Sequence, residues 1–192
     1  MAWIETISFE AATDRLKELY QKLGGLKGKV DNILTMHSLR PHTMEGHLAL
    51  YRSVLHNPHN QLPRWFLECL GVWVSSINNC EYCFEHHYQG MRRELNDEVK
   101  AVAVRKAIEN FDINGAIFTP REMRALHYAK ALTQTPPMPT EELVISMRSA
   151  GLSDGEILEI NQVVAYFAYA NRTVLGLGCS LEGDQLGEIA GN

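Results

Sequence analysis

The stretch Ser75–His87, SSINNCEYCFEHH, gathers residue types that can do redox chemistry. Cys80 and Cys83 are separated by two residues. On a helix their thiols lie one turn apart on nearly one face, close enough to bridge with modest adjustment. Asn78 and Asn79 precede the pair, and either would cap a helix starting there. At a helix N-terminus the unpaired N–H groups and the macrodipole favour a thiolate, the reactive form of cysteine. Those helix-end electrostatics favour Cys80, nearer the terminus, as the nucleophile. His87 extends the cluster, sharing with both thiols a stripe roughly 60° wide at 3.6 residues per turn. An imidazole titrates near neutral pH and can take or return a thiol proton. His86 is rotated ~100° from that stripe and points elsewhere.

A carboxylate is placed by helix register. If the apolar run Trp65–Ile77 is a helix that turns near Ile77-Asn78, and the next helix returns antiparallel, Glu68 meets His87 at one depth, ~14 Å below the turn. Trp65, Leu67, Cys69, Leu70 and Trp73 make that face otherwise apolar, and a carboxylate buried there needs a partner. The expectation is a Glu68–His87–thiol relay. Trp73, with Trp65, Phe84 and Tyr88, is core or pocket wall.

The elements that must position these residues have helical period almost throughout. Leu16, Leu19, Tyr20 and Leu23 recur at i, i+3, i+4 and i+7, with Gly24 as a stop. Pro41 opens a helix carrying Met44, Leu48, Tyr51 and Leu55, ended by Asn57-Pro58, and Pro63 fits a first helical position for the run to Ile77. Asn96 or Asp97 caps a helix through Val99, Val102, Ala103 and Lys106. Thr119–Glu122 and Ser153–Glu156 read as capping boxes, and Thr140 caps Glu141–Ala150 before Gly151. No strand alternation or hairpin signal appears, so the chain is all-α. Thr133–Pro139, with three prolines in seven residues, separates two helices of one domain rather than two domains.

The spacing Glu68-x11-Cys80-x2-Cys83-x3-His87 resembles the core motif of the alkyl hydroperoxidase D (AhpD)-like proteins of the carboxymuconolactone decarboxylase superfamily. Leu62-Pro63-Arg64, Val74-Ser75, Asn171-Arg172 and Leu175-Gly176-Leu177-Gly178 look like its peroxidase-related branch. The resemblance covers about residues 30–180 of a single 1–192 domain. It implies an all-α helical bundle, homo-oligomers (trimers or hexamers) and thiol-dependent reduction of hydroperoxides without a cofactor. It also implies that Cys83 attacks the peroxide, that Cys80 resolves the sulfenic acid as a disulfide, and that Glu68 and His87 relay the proton. Characterised peroxidases of the family carry a second His where this chain has Tyr82, a poor base at pH 7 but a hydrogen-bond donor. Slower peroxide turnover or another substrate follows. The superfamily's decarboxylases lack the Cys pair, which disfavours decarboxylation here.

Composition removes other classes. The 192 residues carry 18 Lys plus Arg against 23 Asp plus Glu, with no basic cluster, so nucleic acid is not an expected partner. The start MAWIETISFEAATDR puts Glu5 and Glu10 where a signal peptide would be apolar, and no run approaches a membrane span, so a cytoplasmic protein is expected. In that compartment a close pair among four Cys suggests redox chemistry or metal rather than a structural disulfide. Zinc held by Cys80, Cys83, His87 and either Glu68 or His86 is the chemical rival, weakened by the lack of a second pair. Covalent haem would need His at position 84, which is Phe84. A redox switch, a protein disulfide reductase and a packing role for the thiols also compete with peroxide reduction.

Five histidines (His37, His42, His47, His56 and His59) do not share a helical face and read as solvated or interface residues, one of them a candidate for a pocket entrance. Cys69 and Cys179 read as core, and Arg172 as an ion-pair or interface residue. Gly24-Gly25 and Gly176/Gly178 lack the spacing of a nucleotide-binding loop, so electrons must come from another protein or a small thiol.

Overall fold

The computed structural model describes residues 2–24 and 29–187. Gly25 and the start Met1 fall outside the described residues. Within them the chain forms helices and no strand: α1 (Asp14–Gly24), α2 (Asn32–Thr35), α3 (Pro41–Leu55), α4 (Arg64–Ile77), α5 (Glu81–Leu95), α6 (Glu98–Glu109), α7 (Pro120–Thr133), α8 (Glu141–Ser149) and α9 (Asp154–Leu177).

Helix α4 is the axis of the molecule. Every residue from Phe66 to Ser75 is buried, as expected of a helix covered on all sides, and α3, α5, α6, α7 and α9 pack around it. Its longest partnership is with α5, the returning arm of an antiparallel hairpin. A second apolar cluster, built from Leu16, Leu19 and Tyr20 of α1 with Met44 and Leu48 of α3, seats α1 on α3.

Both capping boxes form. The Thr119 and Ser153 side chains accept from the N–H groups of Glu122 and Glu156, whose carboxylates return to the cap N–H groups. Asp97 caps α6 through the Lys100 N–H. Thr140 stands at the start of α8 but makes no side-chain cap, and Pro63 sits one residue ahead of α4 rather than inside it. On α6 the buried face is Ala101, Val104 and Ile108. Val99 and Val102 are exposed, because the helix turns its small and branched residues toward α4 and α5.

The asparagine pair ends α4 rather than starting α5. Asn79 takes the left-handed conformation (φ 53°), its N–H bonds Ser76 O at 3.2 Å, and the Cys80 N–H bonds Ser75 O at 2.9 Å. These are the two bonds of a Schellman stop, for which asparagine is among the few suitable side chains. Cys80 itself is the N-cap residue of α5, without a side-chain cap bond. This turn delivers Cys80 to the start of α5.

Trp73 is core. It is fully buried and its Nε1–H donates to Leu126 O of α7 at 3.0 Å.

Candidate redox site

The α4–α5 hairpin brings Glu68 and His87 together at the depth that helix register predicts, with His87 Nδ1 2.6 Å from Glu68 Oε2. The pair is held from two sides, the carboxylate by Gly90 and the imidazole by Phe167. Gly90 of α5 lies so close that a Cβ there would be 3.0 Å from both the carboxyl carbon and Oε2. Phe167 of α9 stands edge-on to the His87 ring, centroids 4.5 Å apart, and reaches it by lying over Gly71, where a Cβ would be 2.2 Å from the ring. With Nδ1 engaged by the carboxylate, the proton that His87 can exchange is at Nε2.

Cys80 and Cys83 are both reduced and buried. Their titrations oppose one another. The Cys80 thiol is pulled down, first by the Cys83 thiol that hydrogen-bonds to it, against a desolvation penalty, and further by the Cys83 N–H and the Asn171 amide. The Cys83 thiol is pushed far up, because its S–H donates a hydrogen bond to Cys80 and it is wholly buried. The first negative charge of the pair therefore resides on Cys80, at the helix start, with Cys83 as its donor.

Asn171 is the third member of this arrangement. It is fully buried on the otherwise apolar inner face of α9, its Oδ1 accepts from Asn78 Nδ2 at 2.9 Å, and its Nδ2 donates to Ser75 Oγ at 3.1 Å. Its amide also favours the thiolate at either cysteine.

A narrow pocket with about 50 Å³ of free space adjoins the site, several times the ~10–15 Å³ that one water needs. Cys83, His87 and Glu68 line it, whereas Cys80 does not. Opposite them stand Tyr51 and His47 of α3 and Tyr166 of α9, an aromatic wall that sequence spacing does not disclose. His47 is buried and its Nε2 is 3.3 Å from the Tyr166 hydroxyl. Burial first, then His37 and His87, hold its pKa down to about 4. His42 and His59 are exposed, as expected, but His47 and His56 are drawn inward because α3 packs on both α4 and α9.

Tyr82 lines the pocket, but its hydroxyl is committed elsewhere. It donates to Asp184 Oδ2 at 2.5 Å and accepts the Ile33 N–H at 3.1 Å. Burial and the Asp184 charge keep it protonated, which removes it as a proton relay. Asp184 also accepts the Asn32 N–H and lies 3.3 Å from His86 Nε2, so His86 joins the pocket flank rather than pointing away from it. Through Asp184, and through Arg93 bonding Gly187 O, the segment after α9 is strapped across the pocket.

The remaining cysteines divide. Cys69 is core, whereas Cys179 is half-buried and packs against the cluster containing Cys80 and Cys83, its thiol pushed up to about 12 by burial. Arg172 is exposed and bonds the Ala168 carbonyl, four residues back on its own helix. Among the described residues no three His, Cys, Asp or Glu side chains are arranged to hold a metal ion, and no helix is long and apolar enough to cross a membrane.

No protein-family model matches the chain, and no curated protein matches it. Solved structures do. An uncharacterized peroxidase-related protein from Ralstonia eutropha JMP134, described as an alkylhydroperoxidase AhpD core, superposes with a TM-score of 0.79 at 20% identity, over 93% of this chain and 91% of that one. An uncharacterized peroxidase-related protein from Silicibacter sp. TM1040 gives a TM-score of 0.74 at 23% identity, over 88% and 87%. The debrominase Bmp8, as a cysteine-to-alanine variant in complex with 2,3,4-tribromopyrrole, gives 0.74 at 16% identity, over 95% of each chain. The nine helices of the described residues are thus arranged in the AhpD-like fold.

Proposed function

We propose that the protein is a dithiol oxidoreductase that reduces small organic hydroperoxides. The observation that carries this reading is the shared pocket: Cys83 opens onto the same narrow space as the bonded Glu68–His87 pair. Cys83 holds its proton the more firmly of the two thiols, and His87 follows one helical turn later on the same face. His87, fixed at Nδ1 by Glu68, takes that proton at Nε2. The Cys83 thiolate attacks the terminal peroxide oxygen; the S–O bond forms as the O–O bond breaks, and the leaving alkoxide takes the proton back as an alcohol. Cys80, already the more acidic thiol, then attacks the Cys83 sulfenic sulfur. Hydroxide leaves, gains the Cys80 proton and departs as water. One hydroperoxide and two thiols become one alcohol, one water and one disulfide, which a protein or small-molecule thiol reduces.

The aromatic wall of Tyr51, His47 and Tyr166 supports a second reading, reductive dehalogenation of a small aromatic ring, consistent with the likeness to a debrominase. That reaction uses the same two thiols, replacing a carbon–halogen bond by carbon–hydrogen and releasing the halide with one proton. Turnover with a regenerating dithiol separates the two. Alcohol formed from an organic hydroperoxide, and lost in Cys83→Ser, supports the first. Bromide released from a brominated heteroaromatic compound, with no alcohol from the hydroperoxide, replaces it by the second.

A further inference from the structure

Glu68 carries two imidazoles. Its Oε2 meets His87 Nδ1 at 2.6 Å, and its Oε1 faces His56 Nε2 at 3.8 Å. The Glu68, His87 and His56 side chains are 4%, 14% and 9% exposed. His56 follows the last residue of α3, its ring edge-on to Tyr51 at 4.8 Å, and Tyr51 in turn lies 6.3 Å from the His87 ring. Neither nitrogen of His56 has a hydrogen-bond partner, although both are buried. An unpartnered imidazole in that position is a worse filler than an apolar ring, so its packing does not account for it.

The charge on Glu68 does. A buried carboxylate is neutralised by one proton on either neighbouring imidazole, and the two arrangements have the same net charge. Closing the His56 gap by roughly 1 Å makes a hydrogen bond and lets the carboxylate pair with whichever imidazole is charged. We propose that His56 is a positioning residue that shares with His87 the single proton balancing Glu68. With the proton on His56, His87 is neutral and ready to receive from Cys83. With it on His87, the pocket holds an acid for the leaving alkoxide.

The groups facing His56 set this balance. Burial is the largest influence and holds the His56 pKa below its usual value; Glu68 draws the proton in against it, while His87, Arg64 and Arg93 add to the opposition. Tyr51, beside both rings, and Tyr166, on the far side of Tyr51, are kept neutral by burial. His47 adds no charge near neutral pH. The arrangement of the three side chains stands by itself; its use in turnover rests on the peroxide reading.

The test is His56→Gln, with His56→Asn as a second variant, in the full chain. Nuclear magnetic resonance titration of the His87 ring without peroxide is expected to show its apparent pKa rising by about one unit, since the competing site for the proton is gone. The acid limb of peroxide-driven thiol loss is expected to move to higher pH by the same amount. A purely structural role would slow the reaction equally at every pH. An unmoved His87 titration in a variant with wild-type helicity overturns the proposal. Wild-type protein that loses no thiols to peroxide overturns the peroxide reading instead, and the ring titration still decides the role of His56.

Discussion

Glu68 Oε2 and His87 Nδ1 meet at 2.6 Å across the α4–α5 hairpin, the carboxylate lodged against the Cα of Gly90. The contact joins two helices whose register is fixed by the Asn78-Asn79 turn, so sequence spacing and tertiary geometry converge on one pair. Glu68→Gln keeps the volume but leaves Nδ1 without its charged partner. The rate of peroxide-driven thiol loss at neutral pH is expected to fall about 10-fold or more, and His87→Gln to lower it by about 10²-fold or more. Stopped-flow thiol kinetics check this; wild-type rates in both variants would remove the pair from the mechanism.

Two glycines separate activity from stability. Gly90→Ala puts a Cβ against the Glu68 carboxylate and pushes it off His87, while alanine favours the helix by about 0.8–1.0 kcal/mol. Slower thiol oxidation at near-unchanged thermal stability is expected. Gly71→Ala drives a Cβ into the Phe167 ring and is expected to cost about 1–3 kcal/mol or more by overpacking. Thermal melts and rates on both variants give the comparison; a Gly71→Ala protein as stable as wild type would contradict the close packing.

Asn171→Leu removes an amide that favours the thiolate at both cysteines and strands Ser75 and Asn78. The pH at which Cys80 becomes open to alkylation is expected to rise. Rates of alkylation by a small haloacetamide across pH, read by mass spectrometry at Cys80, measure it. An unchanged profile would mean that Asn171 serves only to tie α9 to the turn.

His47 gives the stability a pH dependence of defined sign. Its folded pKa is near 4 against 6.5 for the free side chain. Between those values the unfolded chain binds a proton that the folded chain refuses, so stability falls as pH drops through that window, by about 3 kcal/mol in all. His37 and His56, also held down by burial, act in the same direction. Urea unfolding at pH 7 and pH 4.5 is expected to show a smaller loss in His47→Gln than in wild type. Equal losses would contradict a buried, neutral His47.

Much of this architecture is legible in the sequence. Helical period, the two capping boxes and the Cys-x-x-Cys/His stripe are local, and the Glu68–His87 meeting needs only one turn and helix register. What stays hidden depends on how distant elements pack. His47, His56 and Tyr51 enter the site because α3 lies across α4 and α9. Trp73 suits pocket and core equally until α7 supplies the Leu126 carbonyl for its indole. The Asn pair misleads because asparagine both starts helices and tolerates the left-handed stop. Asn171 leaves a trace, a polar side chain between Ala170 and Val174 on the buried side of a long helix, and Tyr82 is explained only by Asp184 returning from beyond α9.

The most direct test of a peroxide-reactive dithiol is to count thiols on fully reduced protein before and after brief exposure to an organic hydroperoxide, with Cys83→Ser and Cys80→Ser alongside. Of the four cysteines, wild type is expected to lose two, as a Cys80–Cys83 disulfide. Cys80→Ser is expected to lose one, trapped as the Cys83 sulfenic acid, and Cys83→Ser none. Loss of no thiol from wild type, or undiminished loss in Cys83→Ser, would contradict the dithiol mechanism.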